Sequence, residues 1–302
     1  MKRIKKGGIV MEYILENSKI KITVSNEGAE LQGITGKKEG DEYLWNGRPY
    51  GWNLSAPTLF PIIGKVKKGK YKYLGKQYKM NQHGFASREE HNLISNTDDS
   101  VTFELNHNEE TLKKYPFKFA LRTTYSLDDN SIVIGFEVEN IDDKEIIFSI
   151  GSHPSFLCPF KREEELEDYY LEFNKIETAS ILSINKEDFL TGEKEIYLKE
   201  TNKIDLTKDT FKGGTLIFND LKSNKITLKS RKHNKYVSLD FEGFPFLSFW
   251  ATEKTRPFIC IEPWFGHADY DDFNGEFKEK ADAIVLGINR KFNCSYKINI
   301  GQ

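Results

Sequence analysis

The 302-residue chain reads as an all-β protein, a large antiparallel β-sandwich with few short helices. Three observations predict this. Apolar residues recur with period two over many short stretches, turn signals separate those stretches, and no alternating strand–helix rhythm of the kind that builds parallel sheets runs through the chain. Aromatic residues make up 13% of the chain, and aromatics favour strands while also offering flat faces to sugar rings.

Taken in order, the opening Met1–Gly8 is basic and Met11 is an alternative start, so residues 1–10 are expected to form an unstructured extension before one sandwich domain over residues 11–302. Ile20, Ile22 and Val24 alternate with polar neighbours, as do Val101, Phe103 and Leu105; each set gives a strand with one buried face. Asn108 caps a short helix that Glu109 and Glu110 favour at its positive end and Lys113 and Lys114 at its negative end, and Pro116 stops it. Phe119–Leu127 and Ile132–Val138 alternate again, and Asp128-Asp129-Asn130 between them reads as a hairpin turn. Further turns are expected over residues 140–143 and at Lys212-Gly213-Gly214. Strands follow at Val237–Phe241 and Phe292–Ile300. The acidic run Glu163–Asp168 reads as a solvated loop or a turn of helix, not a binding tail.

Composition narrows the function. Lys and Arg total 44 against 46 Asp and Glu, a net charge of −2, which gives no electrostatic basis for binding nucleic acid or a membrane surface. With 38% hydrophobic and 30% charged residues, the chain has material for a core, and disorder is excluded as its main state. No apolar run approaches the roughly 18 residues of a membrane span. The stretch after the basic opening is broken by Glu12, unlike a signal peptide. Cys158, Cys260 and Cys294 have no paired spacing and read as reduced thiols of a cytoplasmic protein.

Three segments break the alternation and concentrate reactive side chains: Asn81–Arg88 with His83, Gly151–Phe156 with His153, and Cys260–Gly266 with Glu262. His153 and Glu262 each precede a proline, which holds their backbones extended, and each follows an apolar strand. Apolar neighbours around Glu262 raise a carboxyl pKa toward the range useful for a base if it faces a cleft. P-loop, dinucleotide-binding, nucleophile-elbow and zinc-protease motifs are absent from the sequence. His91, His107, His233 and His267 read as surface residues.

These segments lie in an order that resembles the aldose 1-epimerase (galactose mutarotase-like) superfamily, and within it the LacX-like branch. The carriers are Ala56–Pro61 with Gly64, Gln82–Ala86, Ser152–Phe156, Asp240–Pro245 leading to Trp250, and Glu262–Gly266 with Ala268-Asp269. The resemblance implies a β-sandwich and interconversion of the α and β anomers of a monosaccharide without metal or cofactor. It implies Glu262 as the base toward the anomeric hydroxyl, His153 as the acid toward the ring oxygen, and His83 as a sugar-binding histidine. Gln82, Lys65, Arg88 and Trp250 are carried as further substrate contacts, with Trp264 and Phe265 also placed to lie against a pyranose.

Two positions depart from the family pattern. Lys65 stands where arginine is usual, a point donor in place of a two-pronged one. Ser87 stands where the branch places arginine and Arg88 follows; in a strand, that one-residue slip would turn the side chain to the other face. Three alternatives stay open: a hexose-6-phosphate epimerase using the Lys65, Lys67, Lys68 and Arg88 cations, a non-catalytic carbohydrate-binding module, and a metal site of His83, His153 and Glu262. Monomer and homodimer are equally open.

Overall fold

The structure is a computed structural model that describes residues 2–5, 8–46, 53–251 and 258–301. Its frame is a 15-stranded sheet that begins at Thr58–Leu59 and passes through Ile150–Ser152, Phe258–Phe265, Phe246–Trp250, Leu216–Phe218 and Tyr169–Ile184. It continues through Lys225–Ser230, Tyr236–Asp240, Lys291–Gly301, Ser131–Asn140, Phe119–Asp128 and Ser100–Asn106 to Asn92–Asn96. A second, five-stranded sheet holds the N-terminal strands from Lys2–Lys5 to Asp41–Glu42. Every strand pairing within these two sheets is antiparallel.

The alternating stretches form the expected strands, and their apolar faces meet in one core. Ile20, Ile22 and Val24 are fully buried, as are Val101, Phe103, Phe119 and Leu121. The hairpin pairs Leu127 with Ile132 and turns at Asp129, whose φ is +56°. The short helix spans Glu109–Lys114, and the Asn108 side chain accepts from the N–H groups of Glu110 and Thr111, both at 2.9 Å. Most of the aromatic residues pack inside: Phe60 sits among Phe85, Tyr115, Phe119 and Phe148, with ring centroids 4.9–6.3 Å away. The three cysteines are free thiols.

Three expectations are corrected. The residues expected to form an unstructured extension carry a strand, Lys2–Lys5, which pairs with Gly8–Met11 and extends the five-stranded sheet; residues 1, 6 and 7 lie outside the described residues. His91 and His267 are buried, each about 1% exposed, because each has a polar partner inside: Ala86 O for His91 at 2.9 Å, and Ala268 O and Asp282 for His267. Glu262 lies within the strand Phe258–Phe265 and not beyond its end.

A proline at the next position inside a doubly paired strand needs an explanation, since it removes a ladder donor. Ile261 N–H donates to Pro154 O at 3.1 Å. Backbone donors two residues apart face the same side, so Pro263 turns its donorless nitrogen to that side too. There the neighbouring strand is interrupted between Ile150–Ser152 and Ser155–Leu157, and the interruption is His153-Pro154. The two X-Pro pairs noted in the sequence therefore meet at one break in the ladder.

Candidate active site

His153 occupies that break. Its N–H donates to Pro57 O at 3.1 Å, and the next donor along, Ser155 N–H, goes to Ser55 O at 2.8 Å. Glu262 stands on the adjacent strand, opposite Ser248. The His153 Nε2 and Glu262 Oε2 atoms lie 3.2 Å apart, with side chains only 7% and 1% exposed. His83 comes from a different region. Its backbone has φ +62°, its N–H donates to Gly64 O at 2.8 Å, and Phe85 N–H donates to Phe60 O at 2.9 Å, so the buried Phe85 ring anchors the turn. The His83 and His153 rings meet edge to face at 5.6 Å, and the Trp250 ring lies 5.9 Å from His153.

Two glycines permit this approach. A Cβ on Gly84, whose φ is +76°, would lie 2.1 Å from Phe60 O, and one on Gly64 would lie 2.6 Å from the Ala268 Cβ. The histidine turn and the Gly64 loop are thus pressed against neighbours with no room for a side chain.

Burial sets the protonation states. It pushes the Glu262 carboxyl well above the usual carboxylate range, an effect the nearby Trp264 indole only partly offsets. It pushes His153 well below neutrality, and the neighbouring His83 adds to this. His83 is held at about 4 by burial and then by the Lys65 charge, so it is neutral at physiological pH. Gly64 N–H donates to His83 Nδ1 at 3.2 Å, which places the ring proton on Nε2 and makes that atom a donor. Gln82 lies 3.3 Å from the same Nε2; to accept from it, the amide turns its oxygen inward.

His83, His153, Glu262, Gln82, Arg88 and Trp250 all line one cavity of about 300 Å³, at the lower end of the roughly 300–1,000 Å³ typical of small-molecule sites. Lys65 stands beside it, its Nζ 2.6 Å from Asp188 Oδ2, and Asp188 lines the cavity. Arg88 reaches the cavity despite the expected slip, because Ala86–Arg88 is a 3-10 turn and not a strand, so both Ser87 and Arg88 face inward. Trp264 also lines the cavity, whereas Phe265, one residue on, turns into the core against Phe244 and Phe292. For metal binding, the donor set that converges among the described residues is His153, Cys260 and Glu262, whose ligand atoms lie within 4.8 Å of one another; His83 is not part of it.

Compared with known proteins, the chain matches a model of the aldose 1-epimerase family over residues 11–284. It is 36% identical over 264 residues to the plasmid-borne protein LacX of Lactococcus lactis, covering 85% of this chain and 88% of that protein. The chain belongs to the aldose 1-epimerase family. Two solved structures are similar throughout. A galactose mutarotase related enzyme from Lactobacillus acidophilus is 34% identical with a TM-score of 0.93, covering 97% of this chain and 98% of its own. A galactose mutarotase-like protein from Lactobacillus casei is 33% identical with a TM-score of 0.91, covering 96% and 100%. The mutarotase-like sandwich is therefore the fold of this aldose 1-epimerase family member.

Reading the sequence missed several supports of the site in this family member. Asp188 belongs to a turn, Asn185–Phe189, that looks in sequence like any solvated loop. His91 pins the turn carrying Ser87 and Arg88 through Ala86 O. Tyr296 donates to Ser152 Oγ at 2.8 Å, next to His153. Asp269 and Lys280 form a buried ion pair at 2.7 Å, and Asp269 also accepts from Lys67 N–H at 2.9 Å, tying the lysine loop to the cavity wall. Only Asp269 carried a signal, as part of the Ala268-Asp269 block.

Proposed function

We propose that this protein is a mutarotase, an isomerase that opens and recloses a free aldose with Glu262 as base and His153 as acid. The observation that carries the reading is the 3.2 Å approach of Glu262 Oε2 to His153 Nε2 at the wall of a cavity that also holds His83. The anomeric oxygen and the ring oxygen share one carbon, so the groups that serve them must be close neighbours and not opposed across the sugar.

The Glu262–His153 pair carries one mobile proton. Burial leaves it on Glu262; moved across to His153, the same proton makes a carboxylate and an imidazolium. Glu262 then takes the proton of the anomeric hydroxyl as the carbonyl forms, the bond from the anomeric carbon to the ring oxygen breaks, and His153 delivers its proton to that oxygen. The aldehyde carbon rotates about its bond to the next carbon. On closure the ring hydroxyl attacks the other face, its proton returns to His153, and Glu262 protonates the new anomeric oxygen. A carboxyl with a raised proton affinity is a stronger base when ionised, which suits abstraction from a hydroxyl. On sugar binding the Nε2–H of His83 leaves the Gln82 oxygen for a sugar oxygen, the Gln82 amide binds a second one, and Trp250 lies against the ring. The chemistry asks for no metal or cofactor. This reading takes residues 11–302 as one domain working in the cytoplasm.

A second reading, a phosphorylated hexose, is favoured by one observation: the exposed, cationic Arg88 lines the same cavity. The test of the main reading is polarimetry of freshly dissolved α-glucose and α-galactose. Glu262→Gln and His153→Ala are each expected to slow the enzymatic decay by roughly 10²–10⁴-fold. Wild-type decay no faster than buffer, or variants as fast as wild type, would remove it.

A further inference from the structure

We propose that Asp188, paired with Lys65, is the specificity-determining residue of the cavity: together they read neighbouring hydroxyls of an uncharged sugar and disfavour sugars bearing an anionic group at that end. This rests on the cavity being a sugar site.

The position of Asp188 is built from three distant stretches of chain. Its turn closes with Asn185 N–H donating to Phe189 O, and the Asn185 side chain accepts from the N–H groups of Glu187 and Phe189. Leu190 N–H donates to Asp269 O, and Asp271 N–H donates back to Leu190 O. Lys65 then clamps the turn, donating to Glu187 O at 3.1 Å and to Asp188 Oδ2 at 2.6 Å. A turn tied to residues 65 and 269–271 holds its carboxylate in place over the cavity.

The chemistry of the pair follows from its charges. An acceptor and a donor stand side by side. Vicinal hydroxyls match them: one donates to the carboxylate, and the oxygen of the next accepts from the ammonium. A phosphate ester or carboxylate at this end meets a lysine already engaged and a negative charge beside it. In solvent the Lys65–Asp188 pair adds little to stability, since its side chains are 34% and 58% exposed. Removing the Asp188 charge leaves Lys65 and Arg88 as two cations without that counter-charge, and the cavity turns toward anionic sugars.

The test is Asp188→Asn in the full chain. Asparagine tolerates the left-handed backbone found here, φ +65°, so the turn is kept while the charge is lost. Anomer exchange is measured with glucose and with glucose 6-phosphate, alongside saturation-transfer NMR of the binding of each. The expected result is a KM for glucose raised about tenfold with kcat within about threefold, and a glucose-to-phosphate preference in kcat/KM reduced by about tenfold. An unchanged glucose KM or an unchanged preference overturns the proposal. If the wild type exchanges no anomers, the mutarotase reading fails by itself and the binding arm decides: the Asp188→Asn shift in relative affinity toward the phosphate must still appear. A wild type that binds neither sugar, or a variant with unshifted relative affinity, overturns the proposal as well.

Discussion

Glu30 shows how a single buried group bears on the cavity without lining it. It is 5% exposed and its Oε1 accepts from Ser55 N–H at 2.7 Å and Ala56 N–H at 3.2 Å. These residues precede Pro57, which lines the cavity and holds His153 through its carbonyl. Burial raises the Glu30 carboxyl from its ordinary 4.5 to about 7, against the lowering effect of those two donors. The folded state thus holds the Glu30 proton more tightly than the unfolded chain. Its stabilising contribution is complete below about 4.5 and is lost as pH rises to about 7, by at most about 3 kcal/mol. Glu30→Gln keeps the acceptor and removes the titration. Its melting temperature relative to wild type is expected to climb between pH 4.5 and 7; a pH-independent difference in thermal melts would contradict this. Glu30 carried no signal in the sequence, because nothing local says that residues 55 and 56 will lie over it. His83, His153 and Glu262 were legible because glycine, proline and aromatic neighbours mark them as constrained. Asp188 was not, because its partner lies more than a hundred residues away.

At the scale of elements, local patterns were read well where the cause is local. The Asn108-capped helix and the hairpin at Asp129 follow from side chains within a few residues. The slip at Ser87-Arg88 does not turn Arg88 away, because the segment is no strand but a 3-10 turn held by His91 and by Phe85 and Ala86 N–H groups donating to Phe60 O. This turn depends on the close approach at Gly84. Gly84→Ala must leave a left-handed backbone or push the Phe60 carbonyl, which belongs to the aromatic core, and is expected to cost at least about 2 kcal/mol. Urea unfolding measures it, and a loss under half that figure would show that the turn can move away. Pro263 teaches the same lesson in reverse: proline argues against a central strand by local rules, and only the break at His153-Pro154 makes it acceptable.

For the whole molecule, the sandwich class was legible from periodicity, but the order of strands was not, since it is set by pairings such as Tyr236–Asp240 with Lys291–Gly301 that join distant stretches. The cavity exists because several such stretches close around it. The Asp269–Lys280 pair is one closure, with side chains 4% and 2% exposed; burial lowers the Lys280 pKa while Asp269 opposes that. Lys280→Met strands the Asp269 charge inside and is expected to cost roughly 3–5 kcal/mol, read as a fall in the denaturation midpoint; a neutral effect would mean that water reaches Asp269. Above these supports stands the claim that one carboxylate and one imidazole move the proton of a sugar ring. Exchange NMR of the two anomeric protons of glucose, with wild type and Glu262→Gln in parallel and binding followed in the same samples, tests it most directly. Cross-peaks from wild type and none above buffer from a variant that still binds the sugar are the predicted result; equal exchange from both proteins would contradict it.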